Sequence, residues 1–108
     1  MRHGLIQDVT AAIESELFAA NKAFCGFNST HEGYAVILEE VQETEDEMRK
    51  TGMNMNALWQ ATRMNQSPKQ IREIAEAIRE SARDMAAEAI QTAAMAEKLI
   101  QYTERQKE

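Results

Sequence analysis

From Pro68 to about Thr103, apolar residues recur every three or four positions almost without interruption. They are Ile71, Ile74, Ile78, Ala82, Met85, Ala89, Ala93, Ala96, Leu99 and Ile100. A spacing near 3.5 held this long predicts one helix over 67–103, roughly 50 Å at 1.5 Å per residue. Ser67 and Pro68 supply its start, a capping side chain followed by a ring whose φ is already helical. Its middle, MAAEAIQTAAMA, is rich enough in alanine for another helix to approach closely. The tail QYTERQKE is polar and should fray. One Pro and four Gly leave few breakers in 108 residues, and β-branched alternation is nearly absent. The chain reads as all-α.

The N-terminal half supports the same class. Leu5, Val9, Ile13, Leu17 and Ala20, widened by Ile6 and Phe18, predict a helix over 5–24, with Asp8, Glu14 and Glu16 elsewhere on its cylinder. Cys25-Gly26-Phe27-Asn28 breaks it, Gly26 being a plausible terminator. Ser29 and Glu32 then fit a capping box, which predicts a second helix over 29–51, ending at Thr51-Gly52. Met53 to Asn65 reads as a short third helix over 53–65, with Met55, Leu58, Trp59 and Thr62 or Met64 inward. The expectation is a single domain, 1–108, folded as a four-helix bundle with a long C-terminal helix. The small core of so short a chain favours oligomerisation.

The second helix carries the chain's most unusual chemistry. Glu39, Glu40, Glu43, Glu45, Asp46 and Glu47 fall within nine residues, and no Lys or Arg precedes Arg49 on that helix. At about 100° per residue, Glu32, Val36, Glu39, Glu43 and Glu47 lie within roughly 100° of Glu40, while Tyr34, Ile37, Leu38, Val41 and Met48 gather on another side. Carboxylates one turn apart repel. Either water relieves the stripe, as on an ordinary surface helix, or a cation does. His31 in the first turn is a possible ligand or base but reads more simply as an exposed residue. Trp59 could stack on a base but more often fills core. Glu88 and Gln91, one turn apart, border the alanine stripe of the last helix.

The net charge of −6 argues against general binding of duplex nucleic acid, which needs cations to displace counterions. A lone Cys25 excludes an intramolecular disulfide and a cysteine-based zinc cluster. With no long apolar run and no signal-peptide core in MRHGLIQDV, a cytoplasmic protein with no membrane partner is expected. A Gly-rich phosphate loop, HExxH and a nucleophile elbow are all absent from the sequence.

Glu39-Glu40-Val41-Gln42-Glu43 matches an EExxE motif, and Glu88-Ala89-Ile90-Gln91 occupies the place of a later ExxD motif. With the entry STHEGYAVILEE, this order resembles the MazG-like superfamily of all-α nucleotide pyrophosphohydrolases, closest to small phage- and prophage-type members. The resemblance spans roughly Ile6 to Ile100. It implies that carboxylates of two helices hold Mg²⁺, which binds the phosphates of a nucleoside triphosphate, while an activated water cleaves between the α- and β-phosphates. By position, Glu40, Glu43 and Glu88 would be metal ligands, and Glu39 a further ligand or the residue that orients the water. Gln91 stands where the family pattern has Asp, leaving only a neutral carbonyl oxygen as a donor. The interval from Glu43 to Glu88 is also longer than usual, and Asp84, one turn before Glu88, is an available replacement acid.

Two rival functions follow from the residues. A non-catalytic helical protein could keep the fold for oligomerisation or partner binding, and Gln91 favours it. An acidic surface that mimics nucleic acid would need its carboxylates spread over an exposed face. The discriminating observation is whether Glu40, Glu43 and Glu88 converge.

Overall fold

A computed structural model describes residues 2–106. Three α-helices follow in order: α1 (His3–Ala23), α2 (Thr30–Arg63) and α3 (Pro68–Arg105). Among the described residues there is no strand. The chain divides into two compact units. One is formed by Met1–Val41 with Glu88–Glu108, the other by Gln42–Ala87.

The sequence expectation of four helices needs one correction. α2 does not stop at Thr51-Gly52, and the segment 53–65 is its continuation rather than a separate helix. Gly52 ends a helix only where the chain turns left-handed, and its φ is not positive. The true terminator is Asn65, at φ 51°. The Asn65 amide donates to the Thr62 carbonyl and the Gln66 amide to the Ala61 carbonyl, at 3.2 and 3.0 Å. These two bonds form the Schellman arrangement that satisfies the last carbonyls of a helix.

The helix starts are as the sequence implies. Ser29 Oγ accepts from the Glu32 amide at 3.1 Å. Glu32 reaches back one residue further than the capping box requires, its Oε1 accepting from the Asn28 amide at 2.7 Å. At the start of α3, the Gln70 amide donates to Ser67 Oγ and the Ser67 amide to Gln70 Oε1.

In the first unit, α1 is tied to α3 through Asn21 Nδ2, which donates to Gln101 Oε1 at 3.2 Å. Phe27, in the break between α1 and α2, is buried, and Gly33 is the reason it fits. A Cβ at Gly33 would stand 2.8 Å from Leu99 Cδ1 and 3.2 Å from Phe27 Cδ2. Gly26, at φ 155°, turns the chain there, and the Arg105 guanidinium lies against it and donates to the Phe27 carbonyl. Ala94 is fully buried, in keeping with close helix approach at the alanine-rich segment.

In the second unit, the hydroxyls of Thr51 and Ser81 lie 2.9 Å apart, and Ala61 is buried. The expected inward set of Met55, Trp59 and Met64 is exposed, at 51%, 60% and 68%; only Leu58 is half-buried. Of the expected stripe of α3, Ile71, Ile74, Ile78, Ala82, Met85, Ala93 and Leu99 are half-buried, whereas Ala89, Ala96 and Ile100 are exposed; Ser81, Glu88, Thr92, Met95 and Lys98, outside that stripe, are also half-buried or buried.

Candidate metal centre

The covered side of α2 follows Gly33, Ile37, Glu40, Thr44, Glu47, Thr51, Leu58 and Ala61, all buried or half-buried. Glu40 therefore sits near the middle of that stripe, not on a solvated edge. Of the apolar side by sequence, Tyr34, Leu38 and Met48 are exposed at 65%, 38% and 65%, while Ile37 and Val41 are half-buried. The helix is turned by about 100° from the orientation that hydrophobicity alone selects.

That rotation sets the site. Within the first unit, Glu40 of α2 and Glu88 of α3 are both half-buried. Glu43 follows Glu40 by one turn of the same continuous helix. Within the first unit, one carboxylate oxygen of Glu40 and one of Glu88 lie within 4.8 Å of each other. Opposed oxygens around Mg²⁺ are about 4.2 Å apart, and around Ca²⁺ up to about 5.2 Å. The pair thus has the span of a divalent coordination shell. Its oxygen-only chemistry suits a hard cation.

Glu88 supplies a further test of fit. Its Oε2 is buried and has no hydrogen-bond partner among the described residues. A buried carboxylate oxygen without a donor costs on the order of 1–3 kcal/mol or more, and a cation bound there would relieve that cost. The residues present fit a divalent ion.

The remaining expected residues fall differently. Glu39 is exposed and outside the converging group. Gln91 is half-buried and its Nε2 donates to Glu16 Oε1 at 3.2 Å. The amide is committed on its donor side, which leaves its carbonyl oxygen as the atom able to serve a cation. Asp84 does not join the group. It takes a guanidinium contact from its neighbour Arg83 at 3.2 Å and lines a cavity of the second unit with Glu47, Glu80 and Ser81.

Among the clustered acids, Asp46 meets Arg49 at 2.8 Å and Glu47 meets Lys50 at 3.1 Å. His31 is exposed, as expected.

Glu16 is the residue sequence reasoning misplaced. It is half-buried and contacts the residue at the ExxD position. At about 100° per residue it falls roughly 20° from Leu5, inside the apolar stripe of α1 rather than elsewhere on the cylinder. A carboxylate in the middle of an apolar stripe was the available signal.

Among the described residues, no helix is long and apolar enough to cross a membrane. No protein-family model matches the chain, no curated protein matches its sequence, and no solved structure matches its fold.

Proposed function

We propose that this chain is a Mg²⁺-dependent hydrolase that converts a nucleoside triphosphate to a monophosphate and pyrophosphate, as the MazG-like proteins it resembles do. The observation that carries the reading is the convergence of the Glu40 and Glu88 carboxylates within 4.8 Å, with Glu43 one turn along the same helix as Glu40. These three would hold the ion, with the Gln91 carbonyl as a weaker, neutral donor. Glu39, exposed beside them, would orient the attacking water. Bound Mg²⁺ supplies charge neutralisation at the phosphates and a lowered pKa for a coordinated water. In the cleavage, the water oxygen bonds to the α-phosphorus, the bond to the bridging oxygen breaks, and pyrophosphate leaves with that oxygen. The proposal includes a homodimer or larger homo-oligomer in the cytoplasm.

One observation favours the non-catalytic alternative. Gln91, the departure from the family pattern, donates to Glu16 and so helps hold α1 against α3. A residue recruited for packing is consistent with a fold kept for assembly or partner binding after its metal site was lost.

Thermal unfolding in a Mg²⁺ titration separates the two. An ion that binds only the folded state must stabilise it, by about 2.7 kcal/mol at one hundred times its Kd. Wild type should gain several degrees, and Glu40→Gln and Glu88→Gln should lose most of that gain. Pyrophosphate release from a panel of nucleoside triphosphates then follows. No shift with Mg²⁺, Mn²⁺ or Ca²⁺ in wild type would sink the hydrolase and leave the assembly reading.

A further inference from the structure

Glu16 stands where a carboxylate is costly. It is half-buried, and Val9, Ile13 and Ala20, also half-buried, lie within about 60° of it around α1. Taking a carboxylate out of water is unfavourable unless its charge is met. Among the described residues no Lys, Arg or His pairs with Glu16, and its one hydrogen bond is the 3.2 Å contact from Gln91 Nε2. A neutral amide offsets little of that charge, so packing alone explains the pair poorly.

A second contact pins the same two helices without any charge. Asn21 Nδ2 donates to Gln101 Oε1 at 3.2 Å, one amide against another. Each of those amides carries both a donor and an acceptor, so either could face the other way round. A carboxylate only accepts. Opposite Glu16, Gln91 must present its Nε2 edge, and its Oε1 faces elsewhere. That oxygen accepts no hydrogen bond among the described residues. Gln91 follows Glu88 by one turn, which makes the two neighbours on the surface of α3. Glu16, Glu40, Glu88 and Gln91 all belong to the first unit.

We propose that Glu16 is a positioning residue for the divalent ion and acts through Gln91. Resting on the metal-dependent reading of Glu40 and Glu88, it holds the amide in the one orientation that leaves the carbonyl oxygen free for the ion. It also makes that oxygen a better donor, because an N–H bonded to an anion polarises its own amide. The pair then carries the single negative charge that an aspartate at 91 would carry alone, set further out. Outer partners of this kind typically change metal affinity about 10- to 100-fold.

Binding of Mn²⁺, an oxygen-accepting stand-in for Mg²⁺, to the intact chain tests this apart from turnover. It is read without nucleotide, as loss of the free-ion paramagnetic resonance signal. Glu16→Gln keeps the shape of the side chain and removes the acceptor that fixes the amide. It should weaken Mn²⁺ binding about tenfold or more, while the melting temperature in EDTA stays level or rises. A purely structural pin gives the reverse, a lower melting temperature in EDTA with unchanged Mn²⁺ affinity, and overturns the proposal. Exchanging the pair, Glu16→Gln together with Gln91→Asp, sets the carboxylate beside Glu88 and the amide on α1. Mn²⁺ affinity should then return to the wild-type level or exceed it. An exchanged pair that stays about tenfold weaker than wild type overturns the proposal, even if Glu16→Gln alone does not fold. The two readings fail separately. Wild type that binds no divalent ion removes the hydrolase and the role of Glu16 with it. Equal Mn²⁺ binding by wild type and Glu16→Gln removes that role and keeps the hydrolase.

Discussion

The Glu40 and Glu88 carboxylates, within 4.8 Å of each other, repel in the absence of a cation, and Glu88 adds a buried oxygen with no donor among the described residues. Two unit charges about 4 Å apart interact by roughly 1 kcal/mol even in water-like surroundings. Glu88→Gln should therefore raise the melting temperature in EDTA by about 4 °C or more, and lower it relative to wild type once Mg²⁺ saturates. A loss of stability in EDTA would mean that the Glu88 carboxylate has a structural partner and the site reading is wrong. Gln91→Asp tests the neighbouring position. It adds an acid at the metal group but gives up the bond to Glu16 and sets two carboxylates against each other, so it should cost about 1–2 kcal/mol in EDTA. Its Mg²⁺ affinity should rise, read as a larger thermal shift. At this scale the candidate ligands were legible, because the spacing Glu40, Glu43 puts two acids one turn apart and Glu88 breaks the apolar pattern of α3. Glu16 was legible too, by its angle, but was not recognised. Lys98 offered no signal, since the Phe27 ring that packs on it comes from elsewhere in the chain.

At the scale of elements, the termini that carry explicit capping chemistry were readable and the internal glycine misled. Ser29, Ser67 and Pro68 mark real starts because their side chains or rings act locally. Gly52 looked like a stop, yet α2 passes through it: Thr51 Oγ1 contacts both the Glu47 carbonyl at 3.0 Å and Ser81, anchoring the turn before it. Nothing lies within 4 Å of a Cβ placed at Gly52. Gly52→Ala should thus stabilise the chain by about 0.5–1 kcal/mol, the helix-propensity difference, measured as a higher denaturant midpoint at unchanged m-value. Destabilisation would mean that α2 bends or breaks there in solution. The same exchange at Gly33 has the opposite sign, because its Cβ would meet Leu99 and Phe27. Overpacking costs typically 1–3 kcal/mol, more than propensity returns. The rotation of α2 was the larger failure of pattern reading. An amphipathic helix is assumed to bury its apolar side, and here a polar seam is covered while much of the apolar side is not.

That inversion bears on how much of the chain can be complete as one copy. In the second unit, Met48, Met55 and Trp59 fall within about 40° of one another on α2 and are 65%, 51% and 60% exposed. The unit contains segments of two helices, and its buried residues among those described are Ala61 and Ser81. Two helices alone rarely bury enough apolar surface to offset chain entropy. An apolar strip of Met and Trp at helical spacing resembles the core of an interface, and a second copy pairing the same strips is the simplest closed solution. The expected result is a dimer or larger oligomer by analytical ultracentrifugation, with a melting temperature that rises with protein concentration. The single Trp59 reports on the contact directly: its emission should be blue-shifted at high concentration and move towards that of water-exposed indole on dilution. Met55→Lys, which leaves Trp59 in place, should shift the equilibrium to monomer and reduce stability at concentrations where wild type is assembled. A chain that is monomeric at all concentrations, with Trp59 emission already that of exposed indole, would show that this strip faces water, and the oligomer would have to be abandoned.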